Sequence, residues 1–348
     1  MAFLKVPKES RSQIKKAGKI LVEKDPKMED LLWATDLANR WRACHAYPIN
    51  TFQSTLRNKL RAFSSDILVA QRLKRMPTII DKLKRYPTMQ LTTMQDIGGL
   101  RVVFSDMGEL EKFLSLYKKS RFVHELIDEN DYISCPRDED GYRSHHLIYR
   151  YRNKGNRAYD GLRLEIQFRT NLQHTWATAV ETMGTLLGQA LKSRQGQKDW
   201  LDFFAIVSSA FAHQEKLKPV PRFAQLSESE TREAVKVAEK SLGAIEKMSG
   251  LSAAINLIGK KSSAGEAWSY HLIVLNSLEH TVEVRAYDRE SFSQAVEDYS
   301  NLEKQVTEGK KIEPVLVSAG PIAKLRKAYP NFFLDINDFM TRVRLLTS

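Results

Sequence analysis

Cysteine is nearly absent, with two in 348 residues, Cys44 and Cys135. Two thiols make no disulfide framework and no zinc site by themselves, and they suit a reducing compartment. No apolar run approaches the roughly 20 residues that span a bilayer, and the basic N-terminus lacks the apolar stretch of a secretory signal. The expected setting is therefore the cytoplasm, without a membrane. Internal repeats and low-complexity tracts are missing as well, which argues against a solenoid. So is the G-x-x-x-x-G-K-[ST] loop, so a nucleotide's phosphates would be held by side chains rather than by a backbone cradle.

What is present concentrates between residues 70 and 185. From Leu162 to Phe168 apolar and polar residues alternate. A strand of period 2 puts Leu162, Leu164, Ile166 and Phe168 on one face and Arg163, Glu165, Gln167 and Arg169 on the other. A solvated sheet face has the same pattern, so its neighbours decide the reading. Upstream, Asp96 stands at the entrance of the β-branched run Leu100 to Phe104, which reads as a buried strand. Before that, Pro77 suits the first turn of a helix on which Thr78 and Lys82, four apart, share a face able to grip phosphates.

These pieces resemble, in order and spacing, the synthetase domain of the RelA/SpoT alarmone synthetases. The family's R-x-K-x-x-x-S-I-x-x-K segment is matched by Arg72, Lys74, Thr78, Ile79 and Lys82, threonine keeping the serine hydroxyl. Its D-x-x-x-x-R-V element is matched by Asp96, Arg101 and Val102, its P-K-x-x-G-Y-x-S-x-H loop by Pro136 to His146, and its E-I-Q-I-R-T strand by Glu165 to Thr170. The resemblance implies a mixed α/β (α+β) nucleotidyltransferase-like sheet flanked by helices. It implies transfer of the β,γ-pyrophosphate of ATP to a ribose 3′-hydroxyl, with Mg2+ held by Asp96 and Glu165. Glu165 would also take the hydroxyl proton. Arg72, Lys74, Thr78, Lys82 and Arg101 would bind ATP. Arg137, Tyr142, His146, Gln167 and Arg169 would bind the acceptor, with Tyr142 stacking on guanine and some of these polar groups joining the metal shell. Such chemistry fits the residue types: spreading phosphoryl charge calls for a divalent cation, basic side chains and an in-line hydroxyl, and hard oxygen ligands suit magnesium.

The loop departs from the pattern, with Arg137 for the usual lysine and Asp140 for a small polar residue. Adenine recognition is half explained, since the family's second arginine falls near Glu109. Nothing before residue 60 resembles the family's hydrolase domain and nothing after 220 its usual regulatory tail, so the chain is expected to make product without destroying it.

Residues 1–90 carry 19 Lys+Arg against 8 Asp+Glu, whereas 91–220 carry 18 against 17 and 221–348 carry 17 against 17. The basic excess is thus N-terminal. Lys15, Lys16, Lys19, Arg40, Arg42, Arg57, Lys59 and Arg61, with Trp33, Trp41 and His45 among them, are expected either to track a nucleic-acid backbone or to form an ordinary helical surface. The first alternative suits a toxic branch of the resembled family that pyrophosphorylates the 3′-CCA end of tRNA. The leading acceptor is GDP or GTP; a third reading is a catalytically silent nucleotide sensor.

Three segments are expected: helical residues 1–65, a synthetase domain over 66–218, and a helix with a small α+β domain over 222–348. In the first, Lys27 to Trp41 and Thr51 to Phe63 read as helices with a break at Tyr47-Pro48. In the last, Ser227 opens a capped helix, Trp268 to Leu275, Thr281 to Tyr287 and Ile312 to Ser318 read as strands, and Ser291 to Gln305, Pro321 to Tyr329 and Ile336 to Leu346 as helices. Without a catalytic cluster, that segment reads as a sensor, an oligomerisation unit, or the docking site of a regulator or antitoxin.

Overall fold

Polar caps begin the helices at both ends of the chain. Ser10 accepts from the Gln13 N–H and Gln13 returns the bond, opening α1 (Arg11–Ile20), and Ser227 and Glu230 do the same for the helix Glu228–Leu242. Such reciprocal caps satisfy two orphan donors at once. The computed structural model describes residues 4–61, 63, 67–186, 198–245, 248, 270–276, 281–288, 290–310, 312–318 and 337–348. Two more helices follow α1, namely α2 (Met28–Ala43) and α3 (Ala46–Arg61). The break between them lies at Cys44 and His45, ahead of the expected Tyr47-Pro48, because Pro48 falls in the first turn of α3, where its missing N–H is not needed.

The sheet is built from β1 (Leu68–Leu73), β2 (Gly98–Phe104), β3 (Glu125–Asp131), β4 (His145–Arg150) and β5 (Arg163–Thr170). Between them run α4 (Met76–Arg85) and α5 (Met107–Lys119), and after β5 come α6 (Asn171–Leu186), α7 (Lys198–Gln214) and α8 (Glu228–Leu242). β2 and β5 are parallel, and the other pairs are antiparallel, in the order β3-β4-β5-β2-β1. This is the mixed sheet flanked by helices that the resemblance implies.

The last segment supplies β6 (Tyr270–Asn276), β7 (Thr281–Tyr287), α9 (Phe292–Thr307), β8 (Ile312–Ser318) and α10 (Asn337–Thr347). These elements lie where the sequence places them, within a few residues; the helix expected at Pro321–Tyr329 and the turn after Asn276 fall outside the described residues. Their strands do not make a sheet of their own. β8 pairs antiparallel with β1, Gln71 opposite Ser318 and Arg72 opposite Val317, so one sheet of eight strands runs β3-β4-β5-β2-β1-β8-β6-β7.

Register sorts the two faces. Leu164, Ile166 and Phe168 stand beside Gly98, Leu100 and Val102, and all pack with α3 and α5 into one core. Burying each of these large side chains stabilises the fold by about 2 kcal/mol. Glu165, Gln167 and Arg169 stand beside Gly99, Arg101 and Val103, so the other face is polar. A second apolar cluster, formed by α6, α7, α8 and α10, closes over part of that polar face.

The N-terminal residues read as a basic surface are divided by burial. Trp41, Arg42 and His45 are buried, and Arg40 is held by Glu9 and Asp36. Lys59 donates to Ser120, 2.8 Å away. Only Lys15, Lys16, Lys19, Arg57 and Arg61 remain exposed. Charge in a sequence has no direction: Arg42 follows Ala38 by four residues on the inner stripe of α2 and goes inward with it. No helix among the described residues is long and apolar enough to cross a membrane.

Candidate active site

The polar face carries the site because four strands present alternate residues to it in register. Arg72 of β1 lies opposite Gly99, Arg101 of β2 beside Gln167, and His146 of β4 opposite Gln167. Asp96 enters from the turn just before β2, and Lys82 from the second turn of α4. Pro77 sits in the first turn of α4 as expected, and Thr78 lies half-buried one turn before Lys82.

At one end two cations converge on one oxygen. Lys74 Nζ and Lys82 Nζ donate to Asp96 Oδ2 at 3.0 and 2.9 Å. Asp96 is mostly enclosed, its side chain 19% exposed. Burial alone raises its pKa, but Lys74 and Lys82 outweigh that and hold the carboxyl well below the usual carboxylate range. Burial also pushes the Lys74 ammonium down, against the pull of Asp96. The second carboxylate oxygen, Asp96 Oδ1, is buried and has no hydrogen-bond partner among the described residues. A buried charged oxygen left bare costs free energy unless something not yet present uses it. Arg72 closes this end, its Nη1 3.6 Å from Glu181 of α6.

At the other end the side chains occupy one another. Glu165 Oε1 lies 2.9 Å from His146 Nδ1, and Gln167 Nε2 donates to Glu165 Oε2 at 2.7 Å. His146 Nε2 lies 2.9 Å from the Tyr142 hydroxyl, which also accepts from Arg169 Nη2 at 2.6 Å. Burial disfavours the charged imidazole, yet Tyr142 and Glu165 raise His146 to about 9, so it is charged at neutral pH. Burial likewise resists ionisation of Tyr142, but Arg169 and His146 bring the phenol down to about 7. His146 also helps hold Glu165 below its ordinary value despite burial. Arg169 Nε and Nη1 are buried without hydrogen-bond partners among the described residues, two spare donors beside the phenol.

Tyr142 is only 4% exposed. The Arg137 guanidinium lies 4.0 Å from its ring centroid and that of Arg169 5.1 Å, while Tyr132, His146 and Trp176 meet it edge-on. The flat face expected to take a purine is thus covered by Arg137. Asp140, the acidic departure in the loop, accepts from the Tyr142 N–H at 2.9 Å and lies 3.4 Å from Arg137 Nη1.

The loop is pinned by a helix that the motifs do not announce. Gly141 has φ +78°, and a Cβ there would come within 2.9 Å of the Ala205 Cα. Ser208 of α7 donates to the Gly141 carbonyl, and Arg143 donates to Ser208, to the Ile133 carbonyl and to the Lys218 carbonyl. The signal was the apolar run Phe203 to Val207, too continuous for a surface helix.

Of the expected residues, Arg72, Lys74, Thr78, Lys82 and Asp96 gather at one end and Arg137, Tyr142, His146, Glu165, Gln167 and Arg169 at the other, with Arg101 beside Gln167. Lys84 is exposed and Arg85 pairs with Asp81, so both stay outside. Glu181 is the addition, placed by its contact with Arg72.

Comparison with known proteins falls on this same stretch. A family model described as "Region found in RelA / SpoT proteins" matches residues 71–183. GTP pyrophosphokinase YjbM of Bacillus subtilis is 35% identical over 114 residues, 32% of this chain and 52% of that protein. GTP pyrophosphokinase YwaC of the same organism is 28% identical over 113 residues, 31% of this chain and 52% of that protein. The chain therefore spans about half the length of these curated relatives. The crystal structure of small alarmone synthetase 1 from Bacillus subtilis bound to its product pppGpp aligns at 26% identity, over 49% of this chain and 90% of that one, with a TM-score of 0.40. Residues 71–183, which hold every side chain of the site, match the region found in RelA/SpoT proteins.

Proposed function

We propose that this chain is an ATP-dependent 3′-pyrophosphokinase that makes ppGpp or pppGpp from GDP or GTP and releases AMP. One observation carries the reading: Lys74 and Lys82 share one oxygen of Asp96 and leave the other buried and bare. Two cations beside an unused hard oxygen fit a triphosphate with its magnesium. Asp96 Oδ1 would hold Mg2+ with help from Glu165, the remaining ligands coming from phosphate oxygens and water. When bound, Mg2+ neutralises charge on the transferring group.

The chain's own residues account for the rest. Arg72, Lys74, Thr78, Lys82 and Arg101 bind and orient ATP so that its β-phosphorus faces the acceptor. Glu165, unprotonated at neutral pH, accepts the proton of the ribose 3′-hydroxyl as the new O–P bond forms and the bond from the β-phosphorus to the AMP oxygen breaks. Gln167 and Arg169 orient the acceptor, Arg169 having two donors to spare. Tyr142 receives the guanine once Arg137 swings from its ring, and Arg137 is then available to the acceptor phosphates.

A label-transfer assay tests this. The protein is given Mg2+ and ATP labelled on the γ-phosphate, with GDP, GTP or bulk tRNA offered separately and Glu165→Gln as control. Label is expected on the guanine nucleotides. Label on tRNA alone would replace the acceptor, a reading weakened by the burial of Trp41, Arg42 and His45. No transfer to any acceptor, with ATP still bound, would leave the silent sensor.

A further inference from the structure

The first N–H groups of a helix have no partner within it and need one from outside. At the start of α4 the capping residue Arg75 supplies no side-chain acceptor. The bond comes from 227 residues away: the Met76 N–H donates to Glu303 Oε2 of α9 at 2.9 Å. A carboxylate there also faces the positive end of the helix.

Glu303 is itself fixed. It is buried, and its Oε2 lies 3.4 Å from Nη1 of Arg42, which is only 1% exposed. The same nitrogen donates to the Tyr299 hydroxyl at 2.6 Å, and the guanidinium lies 4.5 Å from the centroid of the Tyr299 ring. α2, α4 and α9 thus meet at one buried charge pair. Next to it, β8 pairs with β1 at Gln71 and Arg72. The last segment therefore grips the chain at Arg72 and again at Met76, on either side of Lys74 and at the first residue of the helix that carries Thr78 and Lys82.

We propose that Glu303 is a positioning residue for the donor nucleotide: its bond to Met76 sets where α4 begins, and so where Thr78 and Lys82 stand relative to Lys74 and Asp96. The inference rests on the reading that Arg72 to Lys82 bind ATP. Through Glu303 it makes the last segment part of the ATP side of the site, separately from the packing of its final helix near Tyr142.

Two double variants separate this from a purely structural clamp. Arg42→Met/Glu303→Gln and Arg42→Met/Glu303→Leu both remove the buried charges, a change often neutral to stability. Only the glutamine keeps an acceptor for the Met76 N–H. Binding of Mg-ATP is measured by calorimetry, and the KM for GDP by steady-state kinetics. The leucine variant is expected to bind ATP about five-fold more weakly than the glutamine variant, roughly the worth of one hydrogen bond, with the same KM for GDP. Equal ATP affinity in the two, or parallel losses for ATP and GDP, overturns the proposal. Glu303→Asp covers a leucine variant that does not fold: it keeps a charge beside Arg42 and draws the oxygens back from Met76. Weaker ATP binding with unchanged KM for GDP supports the proposal, and unchanged ATP binding overturns it. Failure of the ATP reading shows separately, as no ATP binding by the unaltered chain.

Discussion

The two ends of the polar face are built differently. Around Asp96 the charged groups are assembled but unfinished, with one carboxylate oxygen shared by two lysines and the other bare. Around Tyr142 the ring and hydroxyl are already occupied, the hydroxyl bonded to Arg169 and His146 and the ring covered by Arg137, while Arg169 keeps two buried nitrogens without partners among the described residues. A bare oxygen is preorganised for a ligand; a ring covered by a neighbouring side chain must exchange that contact to receive one. On this reading ATP enters a prepared site and the acceptor a closed one.

The largest effects break the first half of that contrast. Asp96→Asn is expected to abolish transfer, by roughly 10³-fold or more, and to weaken Mg-ATP binding, since it leaves Lys74 and Lys82 facing each other without their counter-charge. Glu165→Gln should lose transfer to a similar extent while still binding ATP. Calorimetry with Mg-ATP on both variants, next to the label-transfer rate, checks the pair. Equal ATP binding by the two would erase the difference between the ends.

A second effect tests the Tyr142 end through pH. His146 is held charged to about 9, above its ordinary 6.5 or so, so folding takes up a proton there. That stabilisation is complete below the ordinary histidine value and is lost as pH rises through about 9. Tyr142 works the other way: with its pKa brought to about 7, its contribution is present above its ordinary value near 10 and fades as pH falls through 7. His146→Gln should therefore cost about 1–3 kcal/mol of unfolding free energy near pH 6, where the phenol is protonated, and much less at pH 9.5. Urea denaturation at the two pH values is the measurement, and a cost independent of pH would mean that His146 is uncharged in the fold.

Much of this was legible in the sequence because it is local. The alternation from Leu162 to Phe168 fixes which side chains of β5 are buried, and the spacing of Lys74, Thr78, Lys82 and Asp96 fits a strand, a helix and a turn in succession. What was not legible depends on partners far along the chain. Arg72 pairs through β8 with Val317, Met76 is capped by Glu303, and the Gly141 turn is shaped by Ala205 and Ser208. A periodic pattern shows that a strand has an edge or a helix an inner face, and not what will cover it. In the basic N-terminal stretch the same reason hid the burial of Trp41, Arg42 and His45. Its charges were counted correctly, but the inner stripe of α2, Ala34, Leu37, Ala38 and Trp41, already marked Arg42 as buried.

Tyr142→Ala comes next in size. Losing the ring should raise the acceptor KM about ten-fold, in the range of one stacked base, with the KM for ATP within two-fold of the original. Because the ring is also packed against Trp176, the variant should lose roughly 3 kcal/mol of stability, so kinetics are best compared well below its melting temperature. Parallel rises in both KM values would show that Tyr142 serves the whole site rather than the acceptor end.

The smallest effect addresses the cover itself. Two contacts of Asp140 bear on the cover: one oxygen accepts from the Tyr142 N–H and shapes the turn at Gly141, while the other lies near Arg137 Nη1. Asp140→Asn can keep the first and exchanges the second for an amide that no longer attracts the guanidinium. If the acceptor base must displace Arg137 from the ring, loosening that tether reduces the work of displacement without removing the cation. The acceptor KM should fall two- to three-fold, the worth of a weak ion pair, with kcat and the KM for ATP unchanged. Arg137→Ala bounds the argument from the other side: it uncovers the ring completely but takes away a cation for the acceptor phosphates, so its KM should rise where that of Asp140→Asn falls. If both variants raise the acceptor KM, Arg137 on Tyr142 is part of the bound arrangement rather than a cover, and the two ends of the site are equally prepared.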